Sequence, residues 1–350
     1  MLYIDQYIAE KSVAISQAIA GRKIIYLDLK YWILLRDGLN FNPDTTTYKL
    51  AAKLVELYES KKCIFPVSEV VFWEMMKQDD KTSLLKTFQL VERLSEGIAI
   101  LSDIQRVKIE FACWYSANLP TEEKLILNNL VWSKLPLVSG YFFYSHKVEE
   151  LPDSLKRSSL DFVSNMPLSV LIEQPQFSLS PFTGRDDVEL MNSNKEKYKH
   201  ENKNRTEMFF SELWGVLDCF TDQFNEVIQE HYQKKTGYLP TAEEIANTDK
   251  TSWQKLIYQC FKLGKITTQF PTAKITAALA GSMRWNKDRK YTDGNDTLDI
   301  MHAAIALPYC DYFFTERELH TIIGQEKLDT LFQCQVESKP EAILAILNTL

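Results

Sequence analysis

Short apolar runs rich in β-forming residues occur only near the two ends of this chain, and a helical periodicity fills most of what lies between. Residues 3–20 alternate apolar and polar positions as an amphipathic helix that stops near Gly21. Lys23-Ile24-Ile25-Tyr26-Leu27-Asp28 follows, a run suited to a strand buried on both faces. Residues 29–36 and 46–61 read as helices around a loop from Gly38 to Asp44. Cys63-Ile64-Phe65-Pro66-Val67 is a second strand, with Pro66 restricting it to a strand end. Ser68 then caps a helix through Met76. From about 82 to 290 the pattern predicts helices over 82–98, 105–117, 121–133, 206–234, 251–263 and 272–285. Residues 173–205 are poor in apolar positions and read as a loop.

The last 60 residues return to alternation: a helix over 296–307, a strand from Tyr309 to Phe314, a strand over 332–336 and a helix over 339–349. Strands separated by helices pair in parallel within a covered sheet. The expected architecture is therefore α/β: a parallel-sheet domain assembled from residues 20–80 and 290–350, interrupted by a mainly α-helical insertion over 81–289.

Composition changes this picture in two respects. The net charge of −7 excludes a surface that is cationic throughout, so any nucleic-acid contact must be a local patch. The six cysteines form no C-x-x-C pair, which predicts reduced and mostly buried thiols in a cytoplasmic protein. The segment Met1 to Ala20 lacks the apolar core of a signal peptide, and no apolar stretch reaches membrane-spanning length, so no membrane partner is expected.

The candidate chemistry lies in acids placed at strand ends. Asp28 closes the first strand, and Glu74 sits in the helix after the second. Asp296 and Asp299, three residues apart on one helix face, open the penultimate helical run, and Glu316 follows the late strand. Open parallel sheets bind ligands beyond the carboxyl ends of their strands. Acids gathered there repel one another unless cations intervene, and hard oxygen donors suit Mg²⁺ or Mn²⁺, ions that serve phosphodiester hydrolysis. Taken singly, Asp28 is equally well a helix cap, and Asp296 a cap complementing the helix dipole. His302, one turn after Asp299, reads as a packed core histidine or as a group supporting the site.

These residues carry a resemblance. Ile24 to Asp28, Val67-Ser68 with Glu74 six residues after the serine, Asn295-Asp296-Thr297-Leu298-Asp299-Ile300-Met301-His302-Ala303-Ala304, and Tyr309 to Glu316 together resemble the PIN-like nuclease family. Asp28, Glu74 and Asp299 match the family's first three acids, and Thr315 its strand-end threonine. The fourth acid, usually an aspartate, is here Glu316, with Glu318 behind it, and the resemblance spans less than half of the chain. It implies a divalent-metal-dependent endoribonuclease. Asp28, Glu74 and Asp299 would hold the metal with Asp296 and Glu316, and Ser68 and Thr315 would lie at the substrate. The same site cuts DNA in a related reading, and a non-catalytic RNA- or protein-binding scaffold is the other.

Arg284-Trp285-Asn286-Lys287-Asp288-Arg289-Lys290-Tyr291 sets four basic residues among two aromatics, the composition of a surface that neutralises phosphates and stacks on bases. Lys195, Lys197, Lys199, Lys203 and Arg205 form a second basic run around Tyr198 and His200. RNA is the expected partner, and a homodimer or a regulatory protein is a further one.

Overall fold

The structure is a computed structural model that describes residues 2–119, 124–173, 185–201, 203–238, 240–241, 244, 249–291 and 294–350. In chain order the elements are α1 (Tyr3–Ile19), β1 (Lys23–Leu27), α2 (Leu29–Gly38), α3 (Thr46–Glu59), β2 (Cys63–Ile64), α4 (Glu69–Met75), α5 (Lys81–Ser95), β3 (Ile98–Ile100), α6 (Asp103–Ala117) and β4 (Trp132–Lys134). Next come α7 (Leu135–Ser139), α8 (Tyr141–Glu149), α9 (Asp153–Ser164), α10 (Leu168–Glu173), α11 (Arg185–Lys197), α12 (Arg205–Cys219), α13 (Thr221–Thr236), α14 (Ser252–Lys262) and α15 (Pro271–Trp285). The chain closes with α16 (Asn295–Tyr309), β5 (Tyr312–Phe314), α17 (Arg317–Gln325), α18 (Leu328–Phe332), β6 (Gln335–Glu337) and α19 (Pro340–Leu347). No helix among the described residues is long and apolar enough to cross a membrane.

Four strands form a parallel sheet in the order β2-β1-β5-β6, so the N-terminal and C-terminal segments build it together, as the alternation of strands and helices predicts. β1 is central, and Ile25, Tyr26 and Leu27 are fully buried, which is why this run carries no alternating polar positions. The register is pinned at the start of β5. Asp311 accepts from the Lys23 ammonium and the Ile24 amide, both at 2.8 Å, while its own amide donates to the Ile24 carbonyl. β2 stops at Ile64, because Pro66 has no N–H to continue the ladder. Val67 instead bridges β3, which pairs antiparallel with β4.

Two compact units result. The α/β unit comprises Leu2–Ser102, Asn128–Gly184 and Ile305–Leu350. The helical unit comprises Asp103–Leu127 and Arg185–Ala304. Helix α16 is continuous across the division, with its last turn, Ile305 to Tyr309, inside the α/β unit and leading within three residues into β5.

The helical unit has its own core around Phe111, Leu213, Leu217, Phe224, Ile257 and Phe270. Helices α12 and α15 pack along a face on which Ala273, Ala277 and Gly281 recur every fourth residue, so small side chains let the backbones approach. The amino end of α15 lacks a cap of its own. The buried Glu110 of α6 supplies one: its carboxylate accepts from the Thr272 amide at 3.3 Å and the Thr272 hydroxyl at 2.5 Å. Thr272 in turn accepts from Arg106 at 3.3 Å.

Four expectations change: the strand predicted over 332–336 starts only at Gln335, because Leu328–Phe332 is helical, and three others lie in the middle of the chain. The helix predicted over 121–133 is absent where the chain is described. Leu127–Asn129 is a single 3₁₀ turn, and Trp132 enters β4 because β3 offers backbone partners and Ser12 accepts its amide at 2.9 Å; residues 120–123 lie outside the described residues. The helix predicted over 206–234 is two, broken at Phe220, where the backbone leaves the helical region and the Thr221 hydroxyl caps the Leu217 carbonyl. The loop predicted over 173–205 contains helix α11, while 174–184 lie outside the described residues. The cysteines form no disulfide; Cys63, Cys310 and Cys334 are buried, Cys113 and Cys260 half-buried, and Cys219 exposed.

Candidate metal centre

Asp28 follows the last residue of β1, where a parallel strand delivers its side chain to the carboxyl edge of the sheet. Its amide donates to the Phe314 carbonyl at 3.1 Å, so the position is fixed by the same ladder that pairs β1 with β5. The residue is also the N-cap of α2, its Oδ1 accepting from the Lys30 amide at 3.4 Å. Oδ2 accepts from the Thr315 hydroxyl at 3.0 Å. The cap role read from the sequence is therefore real, and it coexists with placement at the site.

Glu74 lies in the last turn of α4, a helix whose start is set by Ser68. The Ser68 hydroxyl accepts from the Val71 amide at 3.4 Å and shares a 2.6 Å hydrogen bond with the Tyr26 hydroxyl. Burial pushes the Tyr26 phenol well above its usual range, and the charges of Glu74 and Asp28 push in the same direction. Tyr26 is thus a neutral hydroxyl bonded to the residue that starts the Glu74 helix.

The third member is His302 on α16, nearly fully buried. One ligand-capable atom from each of Asp28, Glu74 and His302 lies within 4.8 Å of the others. His302 lies on the helix that precedes β5, the strand that pairs with β1. Asp299 is half-buried one turn ahead of His302 and outside this group. Asp296 is outside it too. At about 100° per residue a six-residue step along a helix ends on a different face, and the buried Asp296 forms an ion pair with Arg289. Glu316 is exposed, at the N-cap of α17, and is not part of the group.

The donor set fits a divalent cation. Two carboxylates this close repel when both are charged, and a bound cation removes that penalty. A carboxylate has about four acceptor sites; Lys30 and Thr315 occupy two on Asp28, leaving capacity for a ligand bond. The imidazole nitrogen adds a softer donor than the carboxylates.

Comparison with protein-family models, with curated proteins and with solved structures finds no match for this chain.

The remaining candidates from the sequence divide by environment. Thr315 is fully buried and bonded to Asp28, and Ser68 is fully buried and bonded to Tyr26. Arg284 pairs with Glu212 at 2.7 Å and Arg289 with Asp296. Trp285 is half-buried, and Lys287 and Lys290 are exposed. His302 was legible only as core or support. The signal that points further is Asp299-Ile300-Met301-His302, an acid and an imidazole three apart on one helix, the spacing by which helices commonly present metal donors.

Because Thr315 orients a ligand-capable oxygen of Asp28, Thr315→Val is expected to lower Mn²⁺ affinity about 10- to 100-fold, the usual cost of removing a partner that orients a metal ligand. Isothermal titration of the two proteins with Mn²⁺ checks this, and equal affinities would show that the hydroxyl has no such role.

Proposed function

We propose that this chain is a divalent-metal-dependent nuclease of the PIN-like kind that hydrolyses phosphodiester bonds in RNA. The observation that carries the reading is the convergence of Asp28, Glu74 and His302 at a parallel sheet built from both ends of the chain. The order of motifs resembling the PIN-like family supports RNA as the polymer.

Asp28, Glu74 and His302 are the residues that would hold the ion. When bound, the ion supplies a more acidic water and stabilisation of the charge that develops at phosphorus. Thr315 holds Asp28 in orientation through its hydroxyl, and the Lys30 amide does the same from the start of α2. Asp299, half-buried one helical turn from His302, is the acid through which a second ion or an entering water would be held.

The imidazole refines the metal expected from the sequence. Carboxylates alone suit Mg²⁺, whereas a mixed nitrogen and oxygen set favours Mn²⁺ or another transition ion over Mg²⁺. Labelled single-stranded RNA and DNA are therefore incubated with EDTA, Mg²⁺ or Mn²⁺. RNA cleavage is expected with Mn²⁺, weaker cleavage with Mg²⁺, and none in EDTA. His302→Gln is expected to reduce the Mn²⁺ preference by roughly 10-fold or more. Cleavage that persists in EDTA, or the absence of any cut with any ion, would end this reading; preferential cutting of DNA would replace RNA as its substrate.

A further inference from the structure

The two basic runs of the sequence meet within the helical unit. Asn192, Lys195 and Glu196 from α11, Lys199 just after it, Arg284 from the last turn of α15, and Lys287, Arg289 and Lys290 from the following loop line one cavity of about 370 Å³. Six of these eight side chains are basic and one is acidic. In a chain with net charge −7, that is a concentrated cationic site.

The cavity wall is held by specific bonds. The Lys195 ammonium donates to the carbonyls of Met283, Asn286 and Arg289, so it closes the carbonyl end of α15 and complements the helix dipole there. Burial and the nearby Arg289 charge push the Lys195 ammonium below its ordinary range. Asn192 clamps the other end of the loop. Its side-chain amide donates to the Tyr291 carbonyl at 2.8 Å, and its oxygen accepts from the Tyr291 amide at 3.0 Å. Glu212 and Asp296 then hold Arg284 and Arg289 in place. Lys287 and Lys290 have no partner among the described residues, and both are exposed on this anchored loop.

We infer that this cavity binds the phosphodiester backbone of a single-stranded nucleic acid, with Lys287 and Lys290 as its principal phosphate contacts. The ligand class rests on the nuclease reading above. The lining argues for phosphates in a strand rather than for a free nucleotide. It offers cations on a fixed frame but, among the described residues, no aromatic ring, since Tyr291 is buried and Trp285 is not among the lining residues. A site without a stacking surface or a base-reading pocket takes the part of the ligand common to every sequence. The stacking role expected for the two aromatics is thereby replaced by a backbone role for the lysines.

The test is fluorescence anisotropy of a labelled single-stranded RNA 20-mer in EDTA, from 50 to 200 mM salt, with the full chain and with Lys287→Ala/Lys290→Ala. Both lysines are exposed and unpaired, so an unchanged melting temperature is expected. Each lost phosphate contact reduces the slope of log affinity against log salt by about 0.7, so the double variant loses about 1.4 from the slope and on the order of ten-fold in affinity near 0.1 M salt. Two RNA sequences of different base composition should bind alike. Lys234→Ala/Lys235→Ala, exposed lysines on α13, serves as a charge-matched control and should leave the slope unchanged. Equal losses in both double variants would overturn the proposal in favour of diffuse attraction. Displacement by a mononucleotide at a lower concentration than by RNA would overturn it in favour of a nucleotide site. EDTA separates this from the metal centre: binding that depends on the lysines stands even if no cleavage is ever seen, and cleavage with lysine-independent binding would sink the inference alone.

Discussion

Asp28→Asn is expected to lower Mn²⁺-dependent cleavage by on the order of 10³-fold while the protein stays folded. Asparagine keeps the size of the side chain and is as good an N-cap as aspartate. The Lys30 amide and the Thr315 hydroxyl, which reach Asp28 at 3.4 and 3.0 Å, therefore still find partners. What disappears is the negative charge facing Glu74 and His302. The variant also separates two contributions to stability. Without metal it is expected to melt no lower than the parent, because one member of a repelling pair of carboxylates has been neutralised. With Mn²⁺ at about 100 times its dissociation constant the parent gains about 2.7 kcal/mol, and the variant gains much less. Initial rates together with melting curves, with and without Mn²⁺, test both statements. A variant that cuts at the parental rate would remove Asp28 from the site.

Phe111→Ala is expected to cost about 3–5 kcal/mol, the range for removing a large aromatic from a packed core. Phe111 is fully buried, with the rings of Phe224 at 5.0 Å, Trp253 at 5.4 Å and Phe270 at 6.4 Å from its own. It links α6 to α13, α14 and the start of α15, so its loss opens a cavity where four helices meet. Four residues on lies Tyr115, stacked on the same ring at 6.0 Å, so the cavity would open among aromatic side chains that hold one another in place. Urea unfolding followed by circular dichroism gives the change. A loss under 1 kcal/mol would mean that the helical unit adds little to the cooperative unfolding.

The elements that proved readable from sequence share a physical reason. Ile25 to Leu27 and Phe313-Phe314 are buried on both faces of a parallel sheet, so their apolar runs are continuous and bounded by helical periodicity. Asp28 was recognisable because a polar residue at the end of such a run must have a purpose, although the sequence could not separate cap from ligand, and the structure shows the cap together with the placement. β3 and β4 were not readable. Each is three residues long, and their partners are decided by Val67 and Ser12, which are distant in sequence. Helix α11 was hidden because it has few apolar positions: its polar Asn192 and Lys195 are what tie it to the backbone after α15. The grouping of His302 with two acids was invisible for the converse reason, since a buried imidazole on an apolar helix has the same local pattern whether it packs or binds.

The sheet places β1 between strands that the ribosome delivers at opposite times. Asp28 and Thr315 are bonded across a separation of 287 residues. β5 and β6, at Tyr312–Phe314 and Gln335–Glu337, complete the ladder only after the helical unit has been synthesised. N-terminal segments emerge and begin to fold first during synthesis, and contacts of such long range are the slow ones to form. A growing chain therefore carries Asp28 and Glu74 without His302 or Thr315. The group that could hold a metal is therefore complete only once residues far apart in the order of synthesis have all been made.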